Sequence, residues 1–276
     1  MNAAITIARK EFADGLRNRW MLAMTLVFAL FAVGIAWLGG SAAGQIGFAS
    51  IPSTIASLAS LATFLVPLIA LLLAYDAIIG EDEGGTLLLL LTYPLGRGQL
   101  LACKFLGQGA ILACATLLGF GAAALAIGVL VEDIDQALLV SAFGRFVVSS
   151  TLLGWSFLAL AYVVSVRVSE KSRAAGLALG IWFLFVLVFD LALLGVLVGS
   201  EGRLSPDLLP WLLLGNPTDI YRLINLGGFE QTADASGVLA LGDALPFGSP
   251  LLWLSLLAWT LLPLLLAYIL FRHRRI

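Results

Sequence analysis

Six stretches of this chain are each long and apolar enough to cross a lipid bilayer, and that constrains its fold before any motif is read. They run over Trp20–Leu38, Ser57–Ile79, Leu106–Val131, Phe146–Val166, Ala174–Val198 and Leu251–Phe271. A hydrocarbon core about 30 Å thick takes about 20 mostly apolar residues in a helix. Backbone amides find no water in lipid, so each stretch must satisfy its own hydrogen bonds as a helix. A membrane barrel would show period-2 alternation, whereas these runs are continuous. Composition agrees: 61% of the residues are hydrophobic and 12% are charged, against about 25% charged in a soluble domain. The expected fold is an all-α polytopic membrane protein with six transmembrane helices.

The cations set its orientation. With the N-terminus inside, the cytoplasmic segments hold Arg9, Lys10, Arg17, Arg19, Arg97, Lys104, Arg167, Lys171, Arg173, Arg272, Arg274 and Arg275. Only Arg145, Arg203 and Arg222 are left outside. This asymmetry predicts that both termini are cytoplasmic. Acids gather on the opposite side, from Glu132, Asp133 and Asp135 to Glu230, Asp234 and Asp243, so the net charge of -2 conceals the bias. The first apolar run follows nineteen largely polar residues and is too long for the core of a cleavable signal. It is expected to stay as an anchor. Within residues 1–19, Ile5, Ala8, Phe12 and Leu16 recur at helical spacing opposite Arg9, Lys10, Asp14 and Arg17. That pattern predicts an amphipathic helix lying in the headgroup plane.

Residues 80–105, between the second and third spans, are the least lipid-like part of the chain. They read Gly80-Glu-Asp-Glu-Gly-Gly-Thr86, then Leu87–Leu91, Tyr93-Pro94, Arg97 and Lys104. Gly84-Gly85 permits a sharp turn out of the second span. Thr86 is placed to cap a short helix, Leu87 opens its apolar face, and Pro94 ends it. Arg97 and Lys104 mark the return to the membrane surface. The expectation is a surface helix pressed into a groove of a soluble partner, with Glu81, Asp82, Glu83 and Arg97 pairing with partner charges to set register. A second candidate contact is the turn holding Arg167, Lys171 and Arg173. The plainer reading of both is a solvated charged turn.

On the outer side, residues 199–250 form the long loop. Leu208–Leu214 is too short to span and reads as interfacial or re-entrant. Asn216-Pro217 then reads as an N-cap followed by proline at the first helical position, with Asp219 in the first turn and Gly227-Gly228 as the stop. The helix would carry Tyr221 and Arg222, residue types enriched at interfaces. It is therefore either a docking platform for a periplasmic partner or a seal on the bundle's outer rim.

Little chemistry is available to the chain itself. It has no Gly-x-x-x-x-Gly-Lys-Ser/Thr phosphate cradle, so ATP-driven work would need a separate subunit. Two cysteines, three methionines and one histidine show no metal-ligand spacing. Cys103 and Cys114 would lie ~16 Å apart along a helix, Met21 and Met24 share one depth, and His273 is terminal beside arginines. Asp76 and Asp190 invite an aspartyl-protease reading, yet at ~1.5 Å rise per residue their depths differ by roughly 18–20 Å. Ser156 has no intramembrane histidine to act as its base.

The Gly-Thr-Leu-x-x-Leu-Leu-x-x-Pro-x-x-Arg core of residues 85–97 resembles the coupling element of ABC-2 type permeases. Three further segments sharpen the likeness: Glu81–Leu106, the opening Ala8–Trp20, and the external Asn216–Asn225. These look like the NosY family, the permeases of nitrous-oxide reductase maturation, and the likeness covers essentially the whole chain as one transmembrane domain. Ala102-Cys103 before Lys104 departs from the looser pattern, where a glycine is common. The resemblance implies a homodimer in the bacterial inner membrane. It implies a cytoplasmic NosF-like ATPase, which carries the ATP and Mg, clamped beneath. Outside it implies a NosD-like periplasmic β-helix protein and, indirectly, a copper chaperone and nitrous-oxide reductase. The permease itself would be non-catalytic, would bind no cofactor and would have no nucleic-acid partner. Two modes of action stay open. In one, ATP binding moves the coupling element and the bundle works the periplasmic partner mechanically. In the other, the dimer conducts a copper or sulfur species. Copper conduction would want soft ligands at successive depths, which the sequence lacks; sulfur export needs no such ladder.

Overall fold

The computed structural model describes residues 9, 12–13, 19–42, 50–92, 96–131, 134–199, 208–226 and 246–274. Among these the regular elements are all helical. Helix α1 is Arg19–Ala42, α2 is Ile51–Ala74, α3 is Ile79–Glu83 and α4 is Thr86–Thr92. Helix α5 is Arg97–Leu130, α6 is Gln136–Arg167, and α7 is Lys171–Gly199 with a π-turn at Leu184–Val188. Two short helices follow, α8 at Leu209–Leu213 and α9 at Pro217–Leu226, before α10 at Ser249–His273. Five of the helical stretches are long and apolar enough to cross a membrane, and α1 adds the shorter apolar run Leu22–Trp37.

The helices overrun the apolar stretches that announce them. Helix α2 starts at Ile51 rather than Ser57, capped by Ser50, whose hydroxyl accepts from the Ser53 amide with Pro52 in the first turn. Helix α5 starts at Arg97 rather than Leu106, and α6 at Gln136 rather than Phe146, behind an N-cap at Asp135 that accepts from the Ala137 and Leu138 amides. Hydropathy locates the part of a helix that lipid can solvate. It says nothing of turns whose polar groups are met by other helices or by water, and Arg97 and Lys104 fall in such turns.

Helix α6 is the axis of the bundle. It packs against α2, α5 and α10, while α1 lies on α5 and α7 touches α2 and α6 lightly. Without a hydrophobic drive between helices in lipid, close approach and interhelical hydrogen bonds hold the bundle together. Close approach is visible at Gly119, where an added Cβ would stand 2.4 Å from the Phe28 Cβ and 3.2 Å from the Thr25 carbonyl. Hydrogen bonds recur at several depths. The Tyr162 hydroxyl donates to Gln108 at 2.8 Å, Thr116 meets Thr151 at 2.9 Å, and Ser156 meets Thr260 at 3.1 Å. Phe28, Phe120 and Phe146 fill the core beside them. Only 11% of the most apolar part of α7 is buried. The expected amphipathic helix of residues 1–19 lies mostly outside the described residues; Arg9 is exposed, and Phe12 rests half-buried against the core.

Candidate functional site

The ends of α2, α5, α6, α7 and α10 converge around α3 and α4. The chain leaves α2 through a turn at Tyr75–Ile78, and the amides that open α3 are received by a side chain of another helix. Ser165 Oγ, near the end of α6, accepts from the Ile78 amide at 2.9 Å and from the Ile79 amide at 3.2 Å. Gly85 then turns the chain with φ +68, a left-handed conformation that other residues adopt at a cost. Thr86 is itself the first residue of α4, and its hydroxyl donates back to the Glu81 carbonyl at 3.2 Å. It ties the two short helices together where the sequence predicts a cap.

The charges of this element point into the chain. Lys104 Nζ pairs with Glu81 Oε1 at 2.7 Å, and the lysine side chain is only 5% exposed. Asp82 Oδ2 receives Arg274 Nη2 at 2.6 Å. Glu83 Oε1 accepts the backbone amide of Lys171 at 2.7 Å, and the Lys171 ammonium pairs with Asp76 at 2.6 Å. Arg97 donates to the carbonyls of Phe271, Arg272 and Arg274, closing the C-terminal end of α10. The expectation that Glu81, Asp82, Glu83 and Arg97 reach outward to partner charges is corrected in part: each has a partner within the chain, Glu81 on α5, Asp82 and Arg97 at the end of α10 and the exposed Glu83 at the start of α7. Spacing in the sequence could not reveal this, because each partner lies on a different span. Arg167 is exposed, and Arg173 pairs with Glu170 at 3.1 Å on an open surface, where such a pair contributes about 0–1 kcal/mol. Pro94 lies outside the described residues. Leu87 is buried, while Leu88 and Leu89 are 60% and 64% exposed, between the exposed Thr86 and Thr92.

The candidate platform at the opposite end is corrected more thoroughly. The Asn216 cap is as expected, its Oδ1 accepting from the Thr218 amide at 3.0 Å. Helix α9, however, is sunk into the bundle against α2, α6 and α10, with Pro217, Asp219 and Tyr221 all buried. Tyr221 is fully buried, with its hydroxyl 3.0 Å from Ser150 Oγ. Arg222 Nη1 bridges Asp190 Oδ2 at 2.6 Å and Asp219 Oδ1 at 3.1 Å. Tyr221 and Arg222 therefore anchor α9 instead of presenting it. The signal that misleads is α9's polar content: in a bundle with hydroxyl and amide partners, polar residues mark an inserted helix as readily as an exposed one.

The π-turn in α7 completes this arrangement. Phe185 carries a carbonyl that accepts from Asn216 Nδ2 at 2.9 Å and from Thr218 Oγ1 at 3.3 Å. A π-turn leaves the i→i−4 ladder, so it can free a carbonyl for a side chain. Phe185 stands fourteen residues into α7, so the turn between α8 and α9 reaches ~21 Å past the Lys171 end. The chain therefore re-enters the bundle to about half its depth, as the run Leu208–Leu214 suggests. Nothing in the sequence of Leu184–Val188 marks the π-turn.

Among the described residues no group of three or more His, Cys, Asp or Glu side chains could hold a metal ion. Cys103 is buried and Cys114 half-buried, both with free thiols.

Comparison with known proteins shows the family. The model of the ABC-2 family transporter proteins matches residues 5–275. The chain is 70% identical over 274 residues to a protein of Stutzerimonas stutzeri described as a probable ABC transporter permease protein NosY, covering 99% of each chain. A Pseudomonas aeruginosa protein of the same description is 68% identical over 271 residues, covering 98% of each.

Proposed function

Because the chain belongs to the NosY permeases of the ABC-2 transporter family, we propose that it works as a mechanical transmitter. It is a multi-pass membrane subunit of an ABC transporter, seated in the bacterial inner membrane with both termini cytoplasmic. In this reading two copies sit above a NosF-like ATPase that binds ATP and Mg. They drive a NosD-like periplasmic protein in copper-site assembly of nitrous-oxide reductase. The observation that carries it is the contrast at α4: Leu88 and Leu89 project outward, while the charges around them are committed to other helices of the same chain. An apolar knob held this way passes a push on α4 to the spans rather than absorbing it. The inserted helix α9, locked to α6 and α7, is the rigid part of the outer segment, residues 199–250, that in this reading serves the periplasmic partner.

The test is reconstitution of the permease with its ATPase in vesicles, assaying copper and sulfur-species movement with and without ATP. Mechanical transmission expects ATP turnover with no flux of either species. It also expects Leu88→Asp with Leu89→Asp to release the ATPase while the permease still inserts. ATP-dependent accumulation of a sulfur or copper species would replace this reading with a conducting exporter. Normal ATPase binding by the double variant would remove α4 as the docking point.

A further inference from the structure

Arg274 stands near the end of the chain, where a basic residue after a last span ordinarily serves as a positive-inside anchor. Its contacts are of another kind. Nη2 pairs with Asp82 Oδ2 at 2.6 Å and reaches the Val168 carbonyl at 3.2 Å. Nη1 donates to the Val166 carbonyl at 2.7 Å and to the Ser165 carbonyl at 3.3 Å. One guanidinium therefore closes the C-terminal end of α6, where the last carbonyls lack helical partners and cations are favoured, and holds α3 by its carboxylate. Its own carbonyl accepts from Arg97 at 2.7 Å, which brings in the start of α5 and the end of α10. Ser165 closes the ring from the other side, its hydroxyl receiving the amides that open α3.

The same helix carries the other half of the connection. Sixteen residues back along α6, ~24 Å at 1.5 Å per residue, Ser149 exchanges hydrogen bonds with Asn225, and Ser150 meets Tyr221. Both partners belong to the inserted helix α9. The remaining ion pairs of α3 and its approach lead elsewhere, Glu81 to α5 and Asp76 to α7. Arg274 and Ser165 together join the α3–α4 element to the rod bearing α9, and Arg274 is the one that does so through an ion pair.

We propose that Arg274, gripping Asp82 on α3 and the terminal carbonyls of α6, is the positioning residue that passes movement of the coupling element to the inserted helix. This rests on the mechanical reading above, and on a fork geometry that lysine lacks: a guanidinium offers five donors in one plane, an ammonium a single point charge. Contiguous contacts alone do not demonstrate coupling, so the test must read movement.

The experiment uses the permease–ATPase complex in lipid nanodiscs, with Cys103→Ser and Cys114→Ser and spin labels at the exposed positions Val129 and Leu212. The distance between labels is measured without nucleotide and in an ATP-trapped state, for the parent, Arg274→Gln, Arg274→Lys and Asp82→Asn. The expected result is a nucleotide-dependent shift in the parent. That shift should be lost in Arg274→Gln and Asp82→Asn and diminished in Arg274→Lys, with the ATPase still co-purifying and melting temperatures matched. Asp82→Asn leaves the carbonyl contacts of Arg274 intact, so it reports on the joint even if Arg274→Gln fails to fold. A full shift in Arg274→Gln or in Asp82→Asn overturns the proposal. So does loss of the ATPase from these variants, which would make Arg274 part of the docking surface. Absence of a shift in the parent would instead overturn the mechanical reading on which the proposal stands.

Discussion

Replacing Tyr221 with alanine separates an anchor inside the bundle from a docking side chain on its surface. In the structure the ring is fully buried, its centroid 6.5 Å from that of Phe146, and its hydroxyl lies 3.0 Å from Ser150 Oγ. Truncating a large buried aromatic to alanine costs about 3–5 kcal/mol, since the surroundings collapse only partly into the space left. The cost holds in a membrane protein because it comes largely from contact partners lost on every side. Tyr221→Phe removes only the hydroxyl. Interhelical hydrogen bonds of this kind average about 0.6 kcal/mol and reach about 1.7 kcal/mol, so phenylalanine should recover most of the loss. Both variants should be followed by reversible unfolding in mixed micelles and, separately, by binding of the proposed NosD-like periplasmic partner. The expected pattern is a large loss of stability for Tyr221→Ala, a small one for Tyr221→Phe, and partner binding that tracks the folded fraction. A Tyr221→Ala protein of unchanged stability that no longer held its partner would refute the reasoning and restore the exposed platform.

Gly119→Ala should separate α1 from α5, because the new Cβ would meet the Phe28 Cβ at 2.4 Å and backbone atoms of α1 at 3.2–3.3 Å. Overpacking of this sort costs about 1–3 kcal/mol, and equal melting temperatures for variant and parent would show that the helices slide apart freely. Arg222→Ala should lower the melting temperature, because it leaves Asp190 and Asp219 without the guanidinium that bridges them at 2.6 and 3.1 Å; an unchanged value would show that this bridge does not hold α9 to α7.

Much of the architecture was legible without coordinates, and for one reason: lipid cannot hydrogen-bond, so any long apolar run must be a helix whatever surrounds it. The stretches that announce α1, α2, α5, α6, α7 and α10 follow from that alone. So does the Asn216 cap of α9, because an amide side chain before a proline-started turn acts on its own neighbours. What the sequence could not disclose is which way the polar residues turn. Glu81 and Lys104, and Asp82 and Arg274, read as surface charges because nothing in a linear pattern says that α2, α5, α6, α7 and α10 end beside one another. Tyr221 reads as an interface residue for the same cause: its partner Ser150 lies 71 residues away. The π-turn at Leu184–Val188 arises where side chains of another segment compete for a backbone carbonyl. Local propensity decides where helices exist, but the burial of a charge or a hydroxyl depends on what meets it, and only the packed bundle brings those groups together.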